Sequence, residues 1–469
     1  MARVQNKCES DMLDGNFAPV EDEIEVAELA VSGAIPPELS GLYLRNGPNP
    51  MFEPLGEYHW FDGDGMLHGI NLENGKASYR NRWIRSRGLD AEESAGRAIF
   101  GGMNTLNLTD ADLAAPAGGM KNTANTNVMR HAGRILCLME GAAPTVVTSD
   151  LETVGEEFFG GKLQGSVSAH PHFDPRTGEL LAFGYVPNLK YLRFSPDGDL
   201  VQVEDVDVPK PTMMHDFTFT TNHAIFFDSP AVLDFASFLT GQGPMVQWEP
   251  ENGTRIGVMD REGRGSDIRW YEIENGYCVH FMNSYEEAGK IIVYGCRFNE
   301  MDFGAQDSSI PDPDGFLTRY TIDPDSGHVA EDRVSELPGD FPRVRAEVEG
   351  EKHRFGIAGT FVKGKPNGPR FDSVTLYDME TGSQDTHAFR DGEITGEAVF
   401  APDPSGTAEN DGWILSMVSD VAGAHTDLVI LDAHDLSETA RVHMPRRVPF
   451  GFHGNWLPDG SDSMATPRT

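Results

Sequence analysis

The chain is short of cysteine, of basic residues and of long apolar runs. Its four cysteines, Cys8, Cys137, Cys278 and Cys296, show no CxxC spacing. That argues against a disulfide framework and against a thiolate metal site, so a bound metal would need nitrogen or oxygen ligands. Lysine and arginine together number 37 against 74 acidic residues, a net charge of -37. Such a chain repels nucleic acid and anionic membrane surfaces. The acidic excess, with only ten lysines among the basic residues, fits either a saline habitat or a generally solvated surface. No run approaches the ~18 apolar residues of a membrane span, and Met1 to Val20 carries no signal-like apolar stretch. The default expectation is a cytoplasmic protein with residues 1–20 as a flexible tail.

What is present is strand and turn. A hydrophobic content of 39% with 27 Phe is ample for a core. Turn signals built from Asp, Pro and Gly recur along the chain, as in Asp174 to Glu179, Ser195 to Asp199, Asp323 to His328 and Asp378 to Gly382. Asp and Pro set up such turns and Gly supplies the positive φ. Their flanks are strand-like: Leu180 to Tyr185, Lys290 to Tyr294, Ser373 to Tyr377, Asp427 to Leu431. Hairpins over nearly the whole length, with little helical periodicity, predict an all-β fold. A β-propeller fits best, because inner strands around one axis bring distant side chains together; two stacked β-sandwiches are the alternative. No linker divides the chain, so residues 1–469 are expected to form one unit. Glu92 to Met120 is rich in Ala and Gly and reads as helices or loops capping one face. Pro230 to Leu239 is an apolar patch, either buried or an exposed lip for peripheral membrane contact.

The densest chemistry lies in Ser168 to Pro175, which holds His170 and His172. Compact settings also surround His215, His280 and His453. The gaps from His170 through His453 are 45, 65 and 173 residues, which match no local metal motif. Context is the stronger signal. Each of His170, His215, His280 and His453 has apolar or aromatic neighbours, where an unpaired imidazole is costly to bury. Four neutral imidazoles suit Fe, Zn or Cu. Metal-bound histidine usually gives its other N–H to a carboxylate or carbonyl. Glu140, Asp340 and Glu397 stand in apolar surroundings and are candidates for that task; strand-end surface acids are the bland alternative. The remaining histidines read as ordinary, apart from His172, which stays ambiguous beside His170.

Ten stretches in order resemble the carotenoid cleavage oxygenases. They include Gly41 to Pro50, Tyr58 to His68, Asn122 to Val128, Leu138 to Gly141, Ala169 to Pro171, Met214 to Phe217, His280 to Glu287, Gly339 to Val344, Gly396 to Phe400 and His453 to Asn455. The resemblance implies a seven-bladed β-propeller under a helical dome, and a non-haem Fe(2+) enzyme that splits a conjugated C=C bond with O2. It implies His170, His215, His280 and His453 as iron ligands. Glu140 would orient His215, Asp340 would orient His280, and Glu397 would orient His453. The family usually has Glu where Asp340 stands, so a backbone shift or a water must make up one methylene. Thr126 falls beside the open coordination site. Phe61 is a candidate for the wall of an apolar tunnel; Phe303 is another, with core packing as its alternative. Family members that cleave stilbenoids and phenylpropenes carry a phenol-gripping tyrosine and lysine, and at those positions this chain aligns Met103 and Arg134. Methionine takes no proton and arginine is a poor base. An apolar polyene, a carotenoid or apocarotenoid, is therefore the expected substrate, with stilbenoids, or a non-catalytic propeller binding apolar ligands, as alternatives.

Overall fold

The computed structural model describes residues 10–240, 244–301, 314–363, 370–423 and 425–459, with the backbone alone over 238–240. The hairpins expected from the turn signals are there. Leu180–Gly184 runs antiparallel to Lys190–Phe194, and Thr426–Asp432 to Glu438–His443. Among the described residues these hairpins build seven antiparallel sheets of four or five strands. Two of the seven share one strand, Val329–Arg343. It pairs with Phe316–Ile322 up to Pro338 and with Phe355–Thr360 from Gly339 onward. The sheets are the blades of a β-propeller.

Both ends of the chain close the ring. Gly454–Pro458 pairs with Gly41–Pro48 and becomes the inner strand of the first blade. Val31–Gly33 adds to Glu438–His443 at the outer edge of the seventh. Two separate sandwiches would leave no such cross-pairing. The core is accordingly divided into clusters between neighbouring blades. Leu136, Ala182 and Phe194 fill the gap between blades two and three. Ile225, Ile256, Phe281 and Tyr320 fill that between four and five. Each sheet buries its faces against the next, which leaves the axis free for polar groups.

Over one face lies a cap of short helices and turns. Arg87–Ala95 is its longest described helix, started by Ser86, whose Oγ accepts from the Leu89 N–H, and ended by Gly96 at φ 67°. The left-handed C-cap is the position that favours glycine. Among the described residues no helix is long and apolar enough to cross a membrane.

One expectation needs correction, and one pair of alternatives is decided for burial. Residues 10–20 are not a loose tail. Phe17 packs edge-on against Trp60 and Phe450, and the Val20 N–H donates to Asn49 Oδ1 at 2.7 Å. Aromatic contacts this far along the chain hold the segment down. Nor does the described part of Pro230 to Leu239 form an exposed lip. Ala231–Leu233 is a buried strand paired with Val246–Trp248, and Leu233 and Phe235 turn into the cavity under the cap. The side chains of Phe238 and Leu239 lie outside the described residues.

Candidate metal centre

Each blade delivers at least one group to the axis. His453 enters just before the inner strand of the first blade, and Thr126 and Glu140 flank the first hairpin of the second, Asn127–His131 and Arg134–Leu138. His170 and His215 precede the inner strands of the third and fourth, His172–Phe173 and Thr218–Phe219. His280 lies within Tyr277–Glu287 of the fifth, Asp340 on the inner strand of the sixth, and Glu397 on Glu393–Pro402 of the seventh. Three of these inner strands lose register at the functional residue: between Cys278 and Phe281, between Asp340 and Arg343, and between Thr395 and Ala398. A bulge re-aims a side chain that regular pleating would point into a sheet face. At the second bulge Phe341 takes φ 54°, a left-handed conformation that non-glycine residues rarely adopt.

The four histidines are buried, and their ligand atoms all lie within 4.8 Å of one another. His170 Nε2 is 3.0 Å from His215 Nε2, which is 3.2 Å from His280 Nε2. The opposite nitrogens face carboxylates. His280 Nδ1 donates to Asp340 Oδ2 at 3.0 Å, and His453 Nδ1 to Glu397 Oε1 at 3.3 Å. His215 Nδ1 lies 2.7 Å from Glu140 Oε1, an ion-pair distance without a well-directed hydrogen bond. The second oxygen of Glu140 accepts from the Tyr185 hydroxyl at 2.7 Å. With Nδ1–H turned to a carboxylate, each Nε2 presents a lone pair inward. Lone pairs crowded this closely repel unless a cation sits among them, and a four-imidazole donor set fits a borderline transition-metal ion.

The electrostatics favour the neutral, metal-binding form at two of the four rings. Burial, reinforced by the neighbouring rings, holds His170 well below its ordinary pKa, in the neutral form that binds metal. Burial also lowers His453, against the pull of Glu397. For His280 burial pulls downward, but Asp340, together with Asp216 and Glu397, raises the value. Burial alone would raise the Glu397 carboxyl, but Arg343 and His453 beside it hold it down to about 2.

Two cavities meet at this cluster. One, about 790 Å3, lies under the cap and reaches His215, His280 and His453; Phe61, Met103, Thr126 and Phe298 are among its walls. The other, about 250 Å3, opens on the opposite side and reaches His170, His280 and His453 past His172, Arg343 and Glu349.

The family model described as retinal pigment epithelial membrane protein, RPE65, matches residues 17–458. A Mycobacterium tuberculosis carotenoid cleavage oxygenase is 34% identical, with 96% of this chain and 98% of that protein covered. The chain belongs to the carotenoid cleavage oxygenase family. Among solved structures, lignostilbene dioxygenase from Pseudomonas brassicacearum is 30% identical with a TM-score of 0.89, covering 96% of this chain and 99% of that one. A variant of Synechocystis apocarotenoid oxygenase is 28% identical with a TM-score of 0.85, covering 94% and 98%. As a member of this family the chain is an alkene-cleaving dioxygenase of the non-haem iron type, and its four buried histidines form a site able to hold the metal.

In this oxygenase Arg134 does not line the larger cavity. It starts the strand Arg134–Leu138 and pairs with Glu157 at 2.9 Å. Phe303 lies outside the described residues. Asp340 reaches His280 directly, at 3.0 Å. Sequence reasoning missed Lys121 and left His172 open. Lys121 borders the larger cavity between Asp64 and Glu92, 2.5 Å from each; its place just before Asn122 to Thr126 was the available signal. His172 bridges Glu349 and Asp216. Asp216 in turn accepts the N–H of Phe281, beside His280, at 2.8 Å. Burial would lower His172, but the two carboxylates raise it to about 10, which favours the protonated ring behind the histidine cluster.

Proposed function

We propose that the chain cleaves a conjugated double bond of a carotenoid or apocarotenoid with O2, giving aldehyde or ketone fragments, with a ferrous ion held by His170, His215, His280 and His453. The observation that carries this reading is four inward-facing imidazole nitrogens at the end of a long, largely apolar cavity. A ferrous ion, when bound, supplies the activation of O2 that alkene cleavage needs. The protein does the rest. Glu140, Asp340 and Glu397 orient three of the rings and leave the ligand set neutral. Thr126 stands at the cavity wall beside the cluster, its carbonyl accepting the His453 N–H at 3.1 Å, and narrows the space where O2 enters. Phe61, edge-on to Phe452 at 5.0 Å, and Met103 line the path of the polyene. Which bond lies next to the metal is then a matter of how far the chain of double bonds slides in.

A second reading, cleavage of a phenolic stilbene, is favoured by Lys121. Burial would lower its pKa, but Asp64 and Glu92 raise it, so it remains an ammonium able to donate to a substrate oxygen. Iron-loaded protein incubated with apocarotenals and with hydroxystilbenes, with products identified by mass spectrometry, decides between them. Aldehydes from the polyenes are expected; turnover of stilbenes alone would replace the first reading with the second.

A further inference from the structure

Outside the axis, one other group of metal-binding side chains converges among the described residues: His425, Asp427 and His443. We propose that these three form a second site, on the outer strands of the seventh blade, for a zinc-like divalent cation.

Local structure makes the convergence. Asp427 and His443 are direct cross-strand partners. His425 lies two residues before Asp427, so alternation puts both on one face. His425 Nε2 is 2.5 Å and His443 Nδ1 is 2.8 Å from the same oxygen, Asp427 Oδ1. One ligand atom from each of three residues thus lies within 4.8 Å of the other two. Two are imidazole nitrogens, which selects zinc, cobalt, nickel or copper over magnesium or calcium. Half of the His425 side chain is exposed, so an ion can enter and complete its shell with water.

The surroundings resemble the supports of a ligand set. The Ser32 hydroxyl lies 2.7 Å from His443 Nε2. Without a metal, His443 Nδ1–H donates to Asp427 Oδ1 and Ser32 can donate to Nε2; a cation would take the place of the Nδ1 proton, with Nε2–H then donating to Ser32. Asp427 Oδ2 accepts from Arg441 at 3.0 Å, which fixes the carboxylate plane. Arg441 is itself matched by Glu393 at 2.7 Å and Glu438 at 3.0 Å, so its charge does not oppose a cation. Ser32 belongs to Val31–Gly33, the N-terminal strand that completes this blade. A cation here would clasp the ring closure, well apart from the chemistry at the axis.

The test is zinc uptake by the full-length chain. Metal-free protein is dialysed against zinc chloride and its metal content counted, for the wild type, His425→Ala and His443→Ala. Each variant is expected to bind one zinc fewer per chain than the wild type. Because His425 is a surface residue, His425→Ala should keep its alkene-cleaving turnover after iron loading, which shows that the loss is not unfolding. Zinc should also raise the unfolding temperature of the wild type by more than that of His425→Ala. Equal zinc content in wild type and both variants would overturn the proposal. The four-histidine reading is untouched by either result, since it is read by His280→Ala.

Discussion

The two cavities that meet at the histidine cluster are built from opposite materials. The one under the cap, about 790 Å3, is walled mainly by aromatic and aliphatic side chains such as Phe61, Phe298 and Met103. The one on the far side, about 250 Å3, is bordered by His172, Asp216, Arg343, Glu349 and Glu397, a set whose charges are paired with one another. The contrast separates two tasks. An apolar wall binds by area and tolerates sliding. A paired polar wall fixes ring positions, because moving any member leaves a buried charge without its partner. Changes on the polar side should therefore alter the metal, and changes on the apolar side should alter substrate affinity.

His280 borders both cavities, so its removal breaks the separation. His280→Ala should lose bound iron and lower turnover by at least about 100-fold, more than any change outside the ligand set. Iron content and oxygen uptake are the measurements. Glu397→Gln keeps the volume but removes the charge that faces His453 and Arg343. Iron affinity and kcat should fall about 10- to 100-fold with KM nearly unchanged. A raised KM with full iron content would show that the polar wall also grips substrate.

Much of this was legible in the residues. Asp- and Gly-centred turns marked the hairpins, and apolar neighbours marked the four histidines. The bulges were not legible. Nothing in Cys278 to Phe281 or Gly339 to Arg343 shows that the register slips there, since the pattern of large and small side chains does not encode the φ of Phe341. Arg134 was misplaced by position counting: it starts a strand, so its side chain follows that strand's pleat and meets Glu157. Lys121 was overlooked because a lone lysine ordinarily reads as surface, and the carboxylates that bury it, Asp64 and Glu92, are distant in sequence. His172 stayed ambiguous for the same reason, as Glu349 lies 177 residues away.

On the apolar side, Phe61→Ala removes a partly exposed ring that touches Phe452 and the cavity. The loss of contact area should weaken polyene affinity by about 10-fold. Iron content should stay near wild type, because the ring packs on His59, Trp60 and Phe452, and the unfolding temperature should fall only modestly, since the residue is 37% exposed. A drop in iron instead would mean that the wall under the cap also holds the cluster in place.

Asp62 gives the finest test, because it brings a titrating group into the apolar side. Its oxygens accept the N–H groups of Met103 at 2.9 Å and His59 at 3.1 Å. Burial outweighs these bonds and raises the carboxyl from 3.8 to about 6. The neighbouring His59 is pushed by burial to about 4 and stays neutral through that range. Because the folded-state value lies above the unfolded one, the neutral acid is the form the fold favours. Its contribution to stability is complete below about pH 4 and is lost as pH rises through about 6. The same ionisation puts a charge on the apolar wall that an entering polyene must desolvate. KM for a polyene should therefore rise a few-fold between pH 5 and 7, and Asp62→Asn should flatten both that rise and the fall in unfolding temperature. If the variant keeps the wild-type pH profile, a group other than Asp62 carries the step.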